Sequence, residues 1–127
     1  MRLLLDTHIL LWSMTASPLT PDRGRQLVTD PANALYCSAA SIWEVGIKHA
    51  KGGDIPMSGA DLLEALRPLN IQILAVTGEH AAAAGLLPRH HGDPFDRMLI
   101  VQAKAEGMTL LTSDGQLAAY GDFVMVV

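Results

Sequence analysis

Short unbroken apolar runs alternate along the chain with longer stretches in which apolar residues return every three or four positions. The runs are Leu3–Leu5, Ala34–Ser38, Ile71–Val76, Thr109–Thr112 and Phe123–Val127, and each reads as a strand buried on both faces. Ile9 to Trp12, after a turn at Asp6, reads as a buried helix. Thr20 is placed to cap a second helix, with Pro21 at its first position and Asp30-Pro31 ending it beyond Thr29. A third helix spans Ala39–Ala50, with an apolar face of Ala39, Ile42, Trp43, Gly46, Ile47 and Ala50. Ser58 and Asp61 have capping-box spacing for a helix that ends near Pro68, and Thr77 opens a small-residue helix through Gly85. Asp93-Pro94 reads as an N-cap followed by a first-turn proline. That helix runs to Glu106 with Phe95, Leu99, Ile100 and Ala103 inward, and Gly107 stops it. Ser113-Asp114-Gly115 turns into a short helix. Buried strands alternating with helices predict an α/β protein with a parallel sheet covered on both faces.

Composition narrows this further. The 127 residues fit one domain, 1–127, and half of them are hydrophobic, enough to fill a core. The single cysteine, Cys37, excludes an intrachain disulfide framework and a cysteine-based zinc ribbon. No apolar run approaches the roughly 18–20 residues that span a bilayer. The N-terminal run is too short for a signal-peptide core and is interrupted at once by Asp6, so a cytoplasmic protein is expected. The net charge of −4 has the wrong sign for a protein that simply coats nucleic acid. Acids gathered around cations would be neutralised locally, however, so their positions matter more than their number.

Ligands of an open parallel sheet sit outside the carboxyl ends of its strands. Asp6 directly follows the first strand and Asp114 stands two residues past the fourth. Asp96 lies in the first turn of the helix before that strand, on the stripe of Leu99, Ile100 and Ala103. Glu44 flanks the apolar face of the helix after the second strand. Singly, each has an ordinary reading: Asp6, Asp93 and Asp114 as N-caps, Asp96 as a first-turn acid, Glu44 as the i, i+4 partner of Lys48. Jointly they read differently. Clustered, inward-facing carboxylates repel one another and are costly to bury, and a divalent cation among them relieves both problems. Mg²⁺ or Mn²⁺ takes carboxylate oxygens and leaves room for phosphate oxygens.

Four motifs carry a family likeness: Leu4-Leu5-Asp6-Thr7-His8, Ser41-Ile42-Trp43-Glu44, Asp93-Pro94-Phe95-Asp96-Arg97 and Leu111-Thr112-Ser113-Asp114. Each alone is weak; in this order, over nearly the whole chain, they resemble PIN-domain proteins and, more narrowly, the VapC-type toxins of toxin–antitoxin pairs. The resemblance implies a three-layer α/β/α sandwich with a central mainly parallel sheet. It implies a Mg²⁺-dependent endoribonuclease (Mn²⁺ as the other option) that hydrolyses RNA to leave a 5′-phosphate and a 3′-hydroxyl. Carried over by position, Asp6, Glu44, Asp96 and Asp114 match the family's catalytic, metal-binding acids, and none is missing. Thr112 and Ser113 would hydrogen-bond those acids or the phosphate, and Asp93 is a cap or outer-shell residue. Further implied partners are a cognate VapB-type antitoxin and a second copy in a homodimer, on surfaces drawn from Ile9–Met14 and residues 39–50.

The remaining polar residues have plain readings. Arg89, His90 and His91 read as a solvated loop, with RNA contact or metal support as the alternative. His8 reads as a structural hydrogen-bonding residue, Trp12 and Trp43 as core or interface, and Cys37 as a small buried hydrophobe. Arg97 should point away from Asp96; with Lys48, Lys51 and Arg89 it is a candidate phosphate contact. Two other functions compete. A phosphoryl-transfer enzyme or receiver built on Asp6 is disfavoured by His8, where an aspartate is wanted, and by the absence of a lysine within residues 111–114. A noncatalytic PIN-fold module that docks a protein or RNA is disfavoured by the complete set of acids.

Overall fold

The computed structural model describes residues 1–127. In chain order the elements are β1 (Arg2–Leu5), α1 (Thr7–Met14), α2 (Asp22–Thr29), β2 (Ala34–Ser38), α3 (Ala39–Ala50), α4 (Gly59–Leu66), β3 (Ile71–Leu74), α5 (Gly78–Leu86), α6 (Pro94–Glu106), β4 (Thr109–Thr112), a 3₁₀-helix (Gly115–Tyr120) and β5 (Val124–Val126). The expected alternation is present, with β3 and β5 shorter than their apolar runs.

All strand pairs are parallel, in the order β3-β2-β1-β4-β5. Crossovers from β1 build the sheet outward through β2 to β3; the chain then returns to the other side of β1 for β4 and β5. The direction of winding thus reverses between β1 and β4, and a crevice opens at their carboxyl ends. Because strand side chains alternate, β1 feeds two cores. Leu3 and Leu5 pack with Ile9 and Leu10 of α1, Val45 of α3 and Leu62 and Leu66 of α4. Leu4 packs on the opposite face with Leu99, Ile100 and Ala103 of α6 and with Leu117. The result is an α/β/α sandwich, and Leu3, Leu4 and Leu5 are completely buried.

Caps decide where helices begin and end. Ser58 accepts from the Asp61 amide at α4, and Thr77 accepts from the His80 amide at α5. Asp93 accepts from the Phe95 and Asp96 amides at α6. Gly107 ends α6 in the left-handed region at φ 65°, where a side chain would be strained. The expectation for α2 is corrected. Its N-cap is Pro21 and not Thr20, and no side chain caps it; Thr20 is buried and its carbonyl accepts from Arg25. The apolar face expected for α3 is also corrected. Ala40, Ser41, Glu44 and Val45 are the buried positions, while Trp43 is 67% exposed. Trp43 points outward to meet the Phe95 ring edge-on at 5.4 Å.

One buried polar network ties the layers together near the carboxyl end of the sheet. The Ser38 hydroxyl accepts from the Ala40 amide at the start of α3 and donates to the Gln102 side-chain carbonyl oxygen of α6. The Gln102 amide group donates to the Ala75 carbonyl, 3.2 Å away, and lies 3.4 Å from His80 Nδ1. His80, also buried, reaches Glu106 at 2.9 Å through Nε2. No buried side-chain polar atom lacks a partner. Replacing Gln102 by Leu keeps the volume but strips partners from the Ser38 hydroxyl and the Ala75 carbonyl, while His80 keeps the Thr77 amide and Glu106. It should lower unfolding free energy in urea by about 1–3 kcal/mol, the cost of unsatisfied buried groups.

Candidate active site

The register of β1 against β4 creates the first half of the site. Leu5 lies opposite Leu111, so the next residues, Asp6 just past β1 and Thr112 at the end of β4, stand side by side. The Asp6 amide donates to the Leu111 carbonyl at 3.0 Å. The Thr112 hydroxyl donates to Asp6 Oδ2, and its oxygen accepts from the Asp114 amide at 3.0 Å. Thr112 thereby couples the two acids. Each also caps the helix it precedes: Asp6 Oδ1 accepts from the Ile9 amide and Asp114 Oδ1 from the Gln116 amide. Capping engages one oxygen of Asp114 and leaves Oδ2 on the side of His91.

Glu44 arrives from α3 and is almost fully buried. Its Oε1 accepts from the Thr7 hydroxyl at 2.6 Å, and its Oε2 pairs with Lys48 Nζ at 2.6 Å. The Ser41 hydroxyl supports Thr7 at 3.1 Å. The i, i+4 pair with Lys48 and a place in the pocket are therefore both true of Glu44.

The third contribution comes from α6 and the loop before it. Asp93 spends Oδ1 on the cap, which fixes the first turn that carries Asp96. Asp96 Oδ2 lies 2.9 Å from His91 Nε2, and the same nitrogen lies 3.5 Å from Asp114 Oδ2. Asp6, Glu44, Asp96 and Asp114, together with Asp93, Thr7, His8, Lys48 and Ser113, line one pocket of about 100 Å³ that no apolar residue touches.

Charge within this pocket is unbalanced. Lys48 is the lone lysine or arginine in its wall. Burial and then the Asp93 charge push the Asp96 carboxyl up to about 6, with Asp6 and Glu44 adding to the rise and the His91 hydrogen bond opposing it. Asp6 is also raised, chiefly by burial, against the lowering effect of its Thr112 and Ile9 hydrogen bonds. Lys48 is raised by its bond to Glu44. Hard oxygen donors from separate segments, held close by caps and hydroxyls and repelling one another, fit a divalent cation. His91, Asp96 and Asp114 bring one donor atom each within 4.8 Å of one another.

Three expectations need correction here. Arg97 is not available to phosphate: its guanidinium donates to the carbonyls of Ala84, Leu87, Pro88 and His91. The loop reading of His91 misses its reach to two of the pocket's acids. Leu86–Gly92 leads into a loop, but one pinned by Arg97 and by Tyr120, whose hydroxyl accepts from the His91 amide and donates to the Pro88 carbonyl. The His8 ring makes no hydrogen bond; it lies exposed at the pocket wall, 5.7 Å from the ring of Trp12. Cys37 is a fully buried hydrophobe, its thiol pushed up to about 12 by burial. The largest cavity, about 530 Å³, is a separate and mostly apolar groove alongside, lined by Trp43, Phe95, Met98, Val76 and Ala84 among others.

The chain is thus a parallel α/β sandwich with an acid-lined pocket at its switch point. The model of the PIN domain matches residues 3–122, and the chain belongs to that family. No curated protein matches it in sequence. Among solved structures it is similar to VapBC2 from Rickettsia felis bound to a promoter DNA fragment, with 16% identity, 100% of this chain and 98% of that one covered, and a TM-score of 0.70. A toxin–antitoxin complex from Klebsiella pneumoniae shares 19% identity, with 97% and 95% covered and a TM-score of 0.66. VapC20 from Mycobacterium tuberculosis, a sarcin–ricin loop cleaving toxin, shares 18% identity, with 94% and 95% covered and a TM-score of 0.66. At these identities the likeness is one of fold.

The raised acids make stability pH-dependent with a definite sign. A carboxyl whose folded pKa exceeds its unfolded value takes up protons on folding between the two. Asp96 therefore destabilises the metal-free protein above about pH 6, and that penalty fades as pH falls toward the ordinary carboxyl value of 3.8. Asn at position 96 mimics the protonated form. In chelator, Asp96→Asn should melt higher than the wild type at pH 7.5. The gap should narrow below pH 6 and vanish as pH approaches 3.8, which melting curves over that range would show.

Proposed function

We propose that this chain is a metal-dependent endoribonuclease of the VapC type, acting in a toxin–antitoxin pair. The observation that carries this reading is the convergence of Asp6, Glu44, Asp96 and Asp114, from four separate segments, on one wholly polar pocket. These four are the residues we assign to catalysis and metal binding, with Mg²⁺ or Mn²⁺ as the ion. Bound there, the cation would lower the pKa of an attacking water and screen charge that develops on the phosphate oxygens.

The chain's own residues do the rest. Thr112, the α1 cap and the 3₁₀ cap hold Asp6 and Asp114 in fixed orientations, so little reorganisation is needed as the phosphate changes charge. Lys48 lines the pocket beside Glu44 with its side chain partly exposed, and can meet a nonbridging phosphate oxygen. Ser113 offers a hydroxyl at the same wall. With few cations in reach, RNA would be chosen by local shape more than by a broad basic surface.

The partners follow from the same reading. One of the similar structures is a toxin–antitoxin complex by name, and we infer a VapB-type antitoxin for this chain. The apolar groove at Trp43 and Phe95 lies beside the acid pocket and suits an apolar segment of such a partner. We also assign a homodimer on the family pattern. No helix is long and apolar enough to cross a membrane, and cytoplasmic RNA is the proposed target.

Purified, antitoxin-free protein should cut a total-RNA pool at discrete sites with Mg²⁺ or Mn²⁺ and not with chelator. Asp96→Asn should reduce cutting on the order of 100-fold or more while melting cooperatively. Full cleavage by folded Asp96→Asn would overturn the assignment. Absence of cleavage by folded wild type on every RNA class, with Mn²⁺ still raising its melting temperature, would favour a binding module instead.

A further inference from the structure

We propose that His91 is a metal ligand: a divalent cation is held between His91 Nε2, Asp96 Oδ2 and Asp114 Oδ2, where the loop before α6 meets two of the pocket's acids, and this nitrogen donor biases the site toward Mn²⁺ over Mg²⁺. The inference rests on the metal-dependent reading above and adds to it a specific ligand and a metal preference.

Three observations carry it. First, the donor atoms converge: Nε2 is 2.9 Å from Asp96 Oδ2 and 3.5 Å from Asp114 Oδ2, and all three lie within 4.8 Å of one another. Second, the imidazole is delivered by a loop built to hold it. The Arg97 guanidinium ties together the carbonyls of Ala84, Leu87, Pro88 and His91. Tyr120 fixes the same loop from its own side, accepting from the His91 amide and donating to the Pro88 carbonyl. A side chain whose backbone is clamped this way is presented with little entropy left to lose on binding. Third, the two halves of the pocket differ in charge balance. Glu44 is already paired with Lys48 at 2.6 Å, and Asp6 is occupied by Thr112 and the Ile9 amide. The Oδ2 atoms of Asp96 and Asp114 share only the imidazole, so the greater unmet demand for positive charge lies on the His91 side.

The chemistry of that donor set gives the preference. Mg²⁺ favours oxygen ligands in near-ideal octahedra, whereas imidazole nitrogen is a better ligand for transition-metal ions. Mn²⁺ accepts both donor types and is itself a spectroscopic probe. Arg97 and Tyr120 are then positioning residues that act through the loop.

The test is Mn²⁺ binding followed by electron paramagnetic resonance at pH 7.5, with electron spin-echo modulation to detect coupled ¹⁴N. Wild type should show imidazole nitrogen coupling. His8→Gln, at the pocket wall, and His90→Gln, whose ring packs edge-on against Tyr120, should keep it. His91→Gln should lose it, with Mn²⁺ affinity reduced about tenfold or more and Mg²⁺ affinity, measured by competition, changed less than about twofold. If His91→Gln does not fold, retention in the other two variants still assigns the nitrogen, because His49 bonds to the Ile55 carbonyl and His80 to Glu106, both away from the pocket. No nitrogen coupling in wild type, coupling that vanishes in His8→Gln, or unaltered Mn²⁺ binding by folded His91→Gln would overturn the proposal. RNA cleavage run alongside separates the two readings. Coupling without cleavage refutes the ribonuclease and leaves the ligand standing; cleavage without coupling does the reverse.

Discussion

The pairing of β1 with β4 is the constraint on which the rest of the molecule depends. Because Leu5 sits opposite Leu111, the carboxylate of Asp6 and the hydroxyl of Thr112 emerge together, and Asp114 follows on the same hydroxyl. A shift of one residue would send Leu3 and Leu5 to the wrong core and separate the acids at the same time. Core packing and site geometry are therefore specified by one register. The hydrophobic demand of two helical layers is what holds the like charges together, since their mutual electrostatics oppose it.

That opposition explains the second tier of interactions. Each acid is held in place by a neighbour: Asp6 and Asp114 by helix amides, Glu44 by Thr7 and Lys48, Asp96 by the turn that Asp93 caps. Deeper down, the Ser38–Gln102 bond joins the start of α3, which bears Glu44, to the middle of α6, which bears Asp96. The two helices are thus tied to each other through a buried polar contact, where apolar packing alone would permit sliding.

Much of this was legible in the sequence. Leu3–Leu5 and Thr109–Thr112 read as buried strands, and in a parallel sheet the acids just beyond them fall at one end. Asp93-Pro94 and Gly107 marked the ends of α6 through local backbone chemistry. What could not be read was set by tertiary contact. Trp43 lay on the apolar stripe and read as core or interface, yet α3 buries Ala40, Ser41, Glu44 and Val45 and leaves Trp43 on the surface against Phe95. Thr20 had cap chemistry, but its surroundings bury it and use its carbonyl. His91 stood in a polar loop whose order comes from Arg97, six positions later, and from Tyr120, far along the chain. No local pattern announces a loop held by distant side chains.

The run Asp93 to Arg97 condenses this division of labour into five consecutive residues. Asp93 caps a helix, Pro94 starts it, Phe95 meets Trp43 at the groove, Asp96 enters the pocket and Arg97 clamps the loop that carries His91. Neighbours in sequence, they serve five different physical ends around one helical turn. Intolerance to substitution across this stretch would look like a single functional motif, although only Asp96 among its members is assigned a donor atom for the cation. Equal sensitivity along a segment is thus no guide to shared chemistry in this fold, and loss of function at Arg97 would report a misplaced loop and not a lost contact with RNA.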